Sequence, residues 1–107
     1  MENLYKILEL KEFENSKQLT ILLSSKKHPF FKAHFENNEI LAGFLQIDIV
    51  LNVLKQKVKK IKRAKFLSII YPNDELKYFI EQKDSSNFKV IIKNKEEKKV
   101  SEFSYEI

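Results

Sequence analysis

The sequence predicts an α+β fold in which one antiparallel sheet of about six strands wraps around a single long buried helix. The first observation is the segment from residue 41 to about 57, whose first three turns are apolar on nearly every side. A helix with that pattern is buried on most of its surface, so it must be covered widely. The second observation is that two strand-like segments precede the helix and four follow it, joined by short turns. Short turns between consecutive strands favour antiparallel pairing.

Each strand is predicted from an alternating or β-branched run bounded by polar turn residues. The predicted strands cover residues 4–13, 19–23, 64–71, 76–82, 88–93 and 100–105. The composition of residues 4–13 also allows a helix. Residues 24–38 mix polar residues with phenylalanines without a period, which indicates an ordered loop. A helix wrapped by one antiparallel sheet is the hotdog arrangement, and we expect residues 1–107 to form a single domain of this kind. An open sheet has exposed edges, which a dimer can pair into one continuous sheet.

The composition narrows the functional classes. A length of 107 residues with 43% hydrophobic and 33% charged residues is typical of one soluble globular domain. No segment approaches the roughly 18 consecutive apolar residues of a membrane span, and the N-terminus lacks the layout of a signal peptide. The chain has no cysteine and only two histidines, which leaves little for a transition-metal site. We expect a cytoplasmic protein without a metal or other cofactor and without membrane contact.

Basic residues concentrate after the predicted helix. The net charge is +5 and the sequence pI is about 9.3. The cluster consists of Lys55, Lys57, Lys59, Lys60, Lys62, Arg63 and Lys65. Three interpretations stay open: a nucleic-acid contact, an acidic protein partner, or a solvated helix end whose lysines complement the helix dipole. The helix end is favoured because lysine is abundant throughout, and no aromatic residues interleave to stack bases, so we expect no nucleic-acid partner.

Gly43 is the only glycine of the chain, and the longest apolar run begins directly after it. Glycine is the usual residue where the backbone bends through a strained conformation or comes close to another group. A helix N-terminus also offers unpaired N–H groups that suit a developing oxyanion. Two interpretations of Gly43 therefore stay open, a tight turn into the helix and an N–H group that polarises a carbonyl.

Two titratable residues flank this glycine. His34 precedes Gly43 by nine residues, and Asp48 follows it by five. A loop histidine is most often an ordinary polar residue but can act as a base, whereas His28, next to Pro29, is interpreted as a turn residue. Apolar neighbours predict that Asp48 is buried, where a carboxyl group is either satisfied by backbone donors or kept protonated as an acid. A base, an acid and an oxyanion donor together suit proton removal beside a carbonyl with loss of a hydroxyl.

The stretch from residue 28 to 48, HPFFKAHFENNEILAGFLQID, resembles the active-site segment of bacterial 3-hydroxyacyl-ACP (acyl carrier protein) dehydratases. The family pattern is roughly F-x-G-H-F-P-x-x-P-x-x-P-G-x-x-Q-x-[ED]. Its spacings of nine residues from His34 to Gly43 and fourteen to Asp48 are both retained. Aspartate as the acid resembles the dehydratase-isomerase branch and the dehydratases of aryl polyene synthesis. Three prolines of the pattern are replaced here, by Glu36, Glu39 and Ala42.

Two later stretches support this resemblance. Residues 61–76 are similar to the family's strand followed by P-G-D-x-L, with Asn73 in the glycine position. Residues 97–103 are similar to its final strand. The resemblance thus extends over most of residues 28–106, in the expected order.

The resemblance implies a cytoplasmic hotdog homodimer, or a higher homo-oligomer, that acts in fatty-acid biosynthesis and related lipid metabolism. Its substrate would be an acyl chain carried on ACP or coenzyme A, and its product a trans-2-enoyl thioester. By the same resemblance His34 is the base for the C2 proton, and Asp48 of the other subunit handles the departing 3-hydroxyl. The Gly43 N–H would hold the thioester carbonyl. ACP is acidic, so the lysines would complement it.

Two other functions stay open. A thioesterase on the same fold uses a carboxylate and the helix N-terminus to direct water at the thioester. A non-catalytic subunit would hold acyl chains or pair with a catalytic hotdog protein. The replaced prolines motivate this last alternative, because proline stiffens the loop before the helix.

Overall fold

A computed structural model describes residues 1, 3–32 and 39–107. In chain order its elements are β1 (Tyr5–Glu12), β2 (Ser16–Leu23), α1 (Pro29–Lys32), α2 (Gly43–Leu54), β3 (Lys60–Phe66), β4 (Glu75–Gln82), β5 (Asn87–Lys93) and β6 (Lys99–Glu106). The six strands form one antiparallel sheet in the order β1-β2-β4-β5-β6-β3. The predicted α+β architecture of one long helix and a six-stranded antiparallel sheet is confirmed.

One core forms between α2 and one face of the sheet, which we call the inner face. On β4 and β5 every second residue is buried, as expected when one face of a strand packs and the other meets water. Five apolar side chains of α2 belong to the same buried cluster, namely Leu45, Ile47, Ile49, Val50 and Leu51. In the described ranges, neither helix is long and apolar enough to cross a membrane.

The helix α2 is shorter than the predicted segment of residues 41–57. It begins at Gly43, with Ala42 as an extended N-cap (φ −61°, ψ 148°), and ends at Leu54. Lys55 adopts a left-handed conformation (φ 55°), and the N–H of Gln56 donates to the Leu51 carbonyl at 2.9 Å. This hydrogen bond closes the last turn, so the chain leaves the helix three residues before the predicted end.

A single helical turn, α1, lies within the segment predicted as a loop. It begins at Pro29, where the missing N–H and fixed φ of proline suit the first helical position. Phe31 is fully buried and its N–H donates to the His28 carbonyl at 3.0 Å. The burial of Phe31 therefore stabilises a short helix in a segment whose sequence has no clear hydrophobic period.

The strand β3 covers Lys60–Phe66, so the predicted position at residues 64–71 is wrong. A β-bulge explains the difference, because the register passes from Ile61↔Tyr105 to Arg63↔Ser104. The bulge hides the alternation from which a strand is predicted. The basic cluster therefore does not end the helix: Lys60, Lys62, Arg63 and Lys65 lie on an edge strand.

A buried polar network joins α2 to the sheet through Gln46, whose residue is 2% exposed. Its Nε2 donates to the Leu41 carbonyl at 3.3 Å, and its Oε1 accepts from the Ser101 hydroxyl at 2.5 Å. The Tyr78 hydroxyl donates to the backbone carbonyl of Gln46 at 2.8 Å. Burial raises the pKa of the Tyr78 phenol, which therefore stays protonated as a donor. These bonds hold the first turns of α2 at a defined depth against β4 and β6.

Replacing Gln46 by leucine should lower the free energy of unfolding by about 2 kcal/mol, because it leaves the buried Ser101 hydroxyl without its acceptor. Urea denaturation followed by circular dichroism measures the change. The double variant Gln46→Leu, Ser101→Ala removes both partners and should recover part of the loss. A Gln46→Leu variant as stable as the wild type would show that the network contributes nothing to stability.

Candidate functional site

The first turn of α2 contains a backbone donor that has no acceptor in the described part of the chain. The N–H groups of Leu45 and Gln46 both point to the Ala42 carbonyl, at 3.1 and 3.2 Å. The N–H of Gly43 has no hydrogen-bond partner among the residues that the structure describes. No side chain in the described part of the chain caps the helix, so no described residue occupies this donor at the positive end of the helix dipole. Such a group can donate a hydrogen bond to a carbonyl oxygen and stabilise the negative charge that develops on it.

The absence of a side chain at Gly43 has a packing reason. Its φ is not positive, so a left-handed backbone conformation is not the reason for glycine at this position. A Cβ built on Gly43 would lie 2.5 Å from Cε2 and 2.6 Å from Cζ of Phe66. The aromatic ring from the end of β3 therefore occupies the space that any other residue would need, and glycine serves here for close approach.

Asp48 is exposed, so the prediction that it is buried is wrong for the single chain. It belongs to a stripe with Phe44 and Asn52, which are spaced by four residues and are exposed as well. Residues spaced in this way lie on one side of a helix, whereas the apolar neighbours of Asp48 in sequence lie on other sides. The sheet covers only those other sides. Phe44 is 57% exposed, so an apolar side chain shares the open stripe with the carboxylate.

Asp48 and Gly43 do not face a common point within one chain. They are five positions apart in the helix, which corresponds to about 140° around the axis and about 7.5 Å along it. The candidate acid and the candidate carbonyl donor thus lie on different sides of α2.

The structure describes only one of the two histidines. His34, the candidate base, lies outside the described residues. His28 is a turn residue, as predicted, because its Nδ1 accepts from the N–H of Phe30 at 3.1 Å. The rings of His28 and Phe30 also meet edge to face, with centroids 5.2 Å apart. His28 therefore supports the start of α1.

A cleft of about 460 Å³ lies beside the segment that leads into α2. The cleft is lined by Ser25, Lys26, Lys27, Glu39, Tyr71, Pro72 and Asn73. The Leu41 N–H donates to the Ile70 carbonyl at 2.8 Å, which ties the approach to α2 to the chain before β4. The cleft is open to solvent, and two lysines and a glutamate make it polar.

The turn before β4 keeps its shape without the glycine of the family pattern. Asn73 has a positive φ of 68°, in the left-handed region that asparagine tolerates better than most residues. The Asp74 carboxylate accepts from the Tyr71 N–H at 2.9 Å. Asparagine thus takes over the conformational role of glycine at this position.

Several residues that shape the site were not predicted from the sequence. Phe66 covers Gly43, and Tyr78 and Ser101 hold the helix in place through Gln46, which is the glutamine of the family pattern. No local pattern singles them out, because each acts through a partner that is distant in sequence. The scarcity of glycine was the one available signal, and it pointed to the position but not to the ring that requires it.

The sheet order and the helix against its inner face define the class of hotdog-fold proteins. The dehydratase heterocomplex ApeI:P from Xenorhabdus doucetiae is similar in structure, with a TM-score of 0.82 and 15% identity over 94% of this chain and 95% of that one. The chain belongs to the ApeI-like family, whose model, described as ApeI dehydratase, matches residues 10–104. It is a dehydratase-type hotdog protein, which confirms the resemblance found in the sequence.

Two further solved structures share this fold at low identity. The R-hydratase PhaJ1 from Pseudomonas aeruginosa has a TM-score of 0.62 and 14% identity over 90% of this chain and 80% of that one. A hypothetical thioesterase with coenzyme A from Streptococcus pneumoniae TIGR4 has a TM-score of 0.59 and 13% identity over 94% and 81%. At these identities the similarity establishes the fold alone. Among curated proteins, none matches the sequence.

Proposed function

We propose that the protein removes water from a 3-hydroxyacyl thioester and yields a trans-2-enoyl thioester. The observation that carries the proposal is the Gly43 N–H at the start of α2, which no described residue accepts, in a chain of the ApeI-like dehydratase family. An oxyanion donor is what removal of a proton next to a thioester carbonyl requires. The spacing of His34, Gly43 and Asp48 adds a base and an acid to that donor.

In the proposed reaction the Gly43 N–H donates a hydrogen bond to the thioester carbonyl oxygen. Charge that moves onto this oxygen makes the C2 proton more acidic, and His34 takes that proton. Asp48 gives a proton to the 3-hydroxyl as the C3–O bond breaks. The electrons of the C2–H bond form the C2–C3 double bond, and the hydroxyl leaves as water.

The proposed site is shared between two subunits. Asp48 is exposed on its own chain and lies about 140° around α2 from Gly43, so it serves the site of a neighbouring chain. A homodimer, as the resemblance implies, supplies such a neighbour. A second, non-identical hotdog subunit does so equally, and the similar structure from Xenorhabdus doucetiae is a heterocomplex.

We propose ACP or coenzyme A as the carrier of the acyl chain, in the cytoplasm, with fatty-acid or aryl polyene synthesis as the setting. The net charge of +5 favours an acidic carrier through electrostatic attraction. Lysines on the rim of the cleft near α2 contribute to this charge.

The test is incubation of the purified protein with a 3-hydroxyacyl thioester on ACP and, separately, on coenzyme A. We expect loss of water, read as the absorbance and mass of the enoyl thioester. Release of a free thiol instead would favour the thioesterase alternative, which the similar structure containing coenzyme A motivates. If neither product forms with the protein alone or with a co-purifying hotdog subunit, a non-catalytic role replaces the proposal.

A further inference from the structure

The ring of Phe66 lies directly against the backbone of Gly43. Its carbons Cε2, Cζ and Cδ2 lie 2.5, 2.6 and 2.9 Å from the position that a Cβ on Gly43 would take. These three atoms form one edge of the ring, so the whole edge fills the space beside the glycine. Phe66 is the last residue of β3 and is 48% exposed. One side of the ring therefore packs on the start of α2, and the rest is open to a substrate.

The ring edge also lies close to the point at which the Gly43 N–H is directed. Gly43 is the first residue of α2, and in helical backbone, with φ about −63°, the N–H and Cα–Cβ bonds of a residue lie nearly on the same side. An oxygen that accepts from this N–H at about 2.9 Å would lie about 3.5 Å from the Cβ position. Because Cε2 of Phe66 is 2.5 Å from the same position, it would lie within about 6 Å of that oxygen.

Two surfaces of different chemistry adjoin the start of α2. The apolar one consists of Phe66 and, on the same inner face of β3, Ile61, which is also 48% exposed. The polar one is the cleft that Lys26, Lys27 and Asn73 help to line. The carbonyl carbon of a thioester joins an apolar acyl chain to a carrier arm that contains amides and phosphate. The acyl chain suits the apolar surface, whereas the carrier arm suits the polar cleft.

We propose that the ring of Phe66 packs against C2 of the acyl chain and restricts the site to thioesters that have no branch at C2. The inference rests on the proposed function, in which the Gly43 N–H holds the thioester carbonyl. C2 is bonded directly to the carbonyl carbon, so a ring that flanks the carbonyl on its acyl side also flanks C2. A methyl group on C2 needs space that the ring edge fills, and forcing extra volume into filled space is unfavourable.

The kinetic test compares 3-hydroxybutanoyl and 2-methyl-3-hydroxybutanoyl thioesters, the second with both configurations at C2. The branched substrate keeps one C2 proton, so it can lose water in the same way and give a 2-methyl-2-enoyl thioester. We expect the wild type to prefer the unbranched substrate. Phe66→Ala should raise the kcat/KM of the branched substrate, relative to that of the unbranched one, by at least about tenfold. Comparing ratios removes the lower intrinsic reactivity of the branched substrate and any loss that affects both.

Two further variants control this comparison. Phe66→Leu shortens the side chain without emptying the space, so its ratio should lie between those of the wild type and Phe66→Ala. This smaller change keeps the test valid if Phe66→Ala folds poorly. The matched control is Phe13→Ala, which removes a ring of similar exposure, 54%, next to β1 at the opposite edge of the sheet from β3. It should keep the wild-type ratio, because Phe13 does not adjoin Gly43.

Binding provides a measure that does not depend on turnover. Butanoyl-CoA and 2-methylpropanoyl-CoA have acyl groups with the same number of carbons, and neither has a 3-hydroxyl to lose. We expect isothermal titration calorimetry to give the wild type a Kd for butanoyl-CoA that is about tenfold lower than its Kd for 2-methylpropanoyl-CoA. Phe66→Ala should remove most of this preference, whereas Phe13→Ala should retain it.

Equal preferences in the wild type and Phe66→Ala overturn the inference, and so does a Phe13→Ala variant that gains the branched substrate equally well. Dehydration of the unbranched substrate with an unchanged ratio supports the proposed function and contradicts the role of Phe66. Selective binding of butanoyl-CoA that is lost in Phe66→Ala, without any dehydration, supports the role of Phe66 and counts against the proposed reaction.

Discussion

Replacing Asp48 by asparagine is expected to lower the turnover of a 3-hydroxyacyl thioester by about 100- to 10,000-fold while the protein remains as stable as the wild type. The loss follows from removal of the proposed acid. Stability is kept because Asp48 is exposed on α2 and is replaced by a residue of nearly the same shape. Turnover is measured from the enoyl product, and stability by urea denaturation. Glu14→Gln, which changes another exposed carboxylate, is the matched control and should retain full activity.

Dimers formed by mixing two variants of the chain can show which subunit supplies the acid. If Asp48 acts across the interface, His34→Ala in one chain and Asp48→Asn in the other leave one intact site. Both changes in the same chain, paired with a chain without either, then leave none. If the acid acts within its own chain, the two results are reversed. An Asp48→Asn variant with full activity in every combination would contradict the proposed role.

Replacing Gly43 by proline is expected to lower turnover by about 100- to 1,000-fold relative to alanine at the same position, when both are made with Phe66→Ala. Proline removes the N–H that would hold the carbonyl, whereas alanine keeps it. Phe66→Ala first clears the space, because a Cβ on Gly43 would lie 2.5 Å from the ring. Proline suits the first helical position, and Ala42, at φ −61° and ψ 148°, already has a conformation that precedes proline well.

The same set of variants distinguishes an effect of Gly43 on stability from an effect on turnover. In the wild-type background, Gly43→Ala should lower the free energy of unfolding by about 1 kcal/mol, because the half-exposed ring of Phe66 must leave its preferred rotamer. Phe66→Ala should relieve most of that cost. Equal kcat values for the proline and alanine variants in the Phe66→Ala background would show that the Gly43 N–H does not take part in the reaction.

The fold class and most elements followed from local patterns. The alternation in β4, β5 and β6 predicted strands whose bounds differ by at most one residue at either end. The apolar run after Gly43 predicted the one long helix. These predictions held because burial on one face of a strand imposes a period of two that the sequence itself displays. The spacing of His34, Gly43 and Asp48 likewise pointed to the dehydratase family, to which the chain belongs.

Only the tertiary structure decided how these residues are used. The sequence around Asp48 is apolar, but the sheet covers other sides of α2, so the carboxylate is exposed. The lysines after the helix belong to an edge strand, because a bulge in β3 and pairing with β6 set its register. Gly43 leaves room for the ring of Phe66 and does not serve a positive φ. In each case a partner far away in sequence determines the outcome, so local periodicity cannot reveal it.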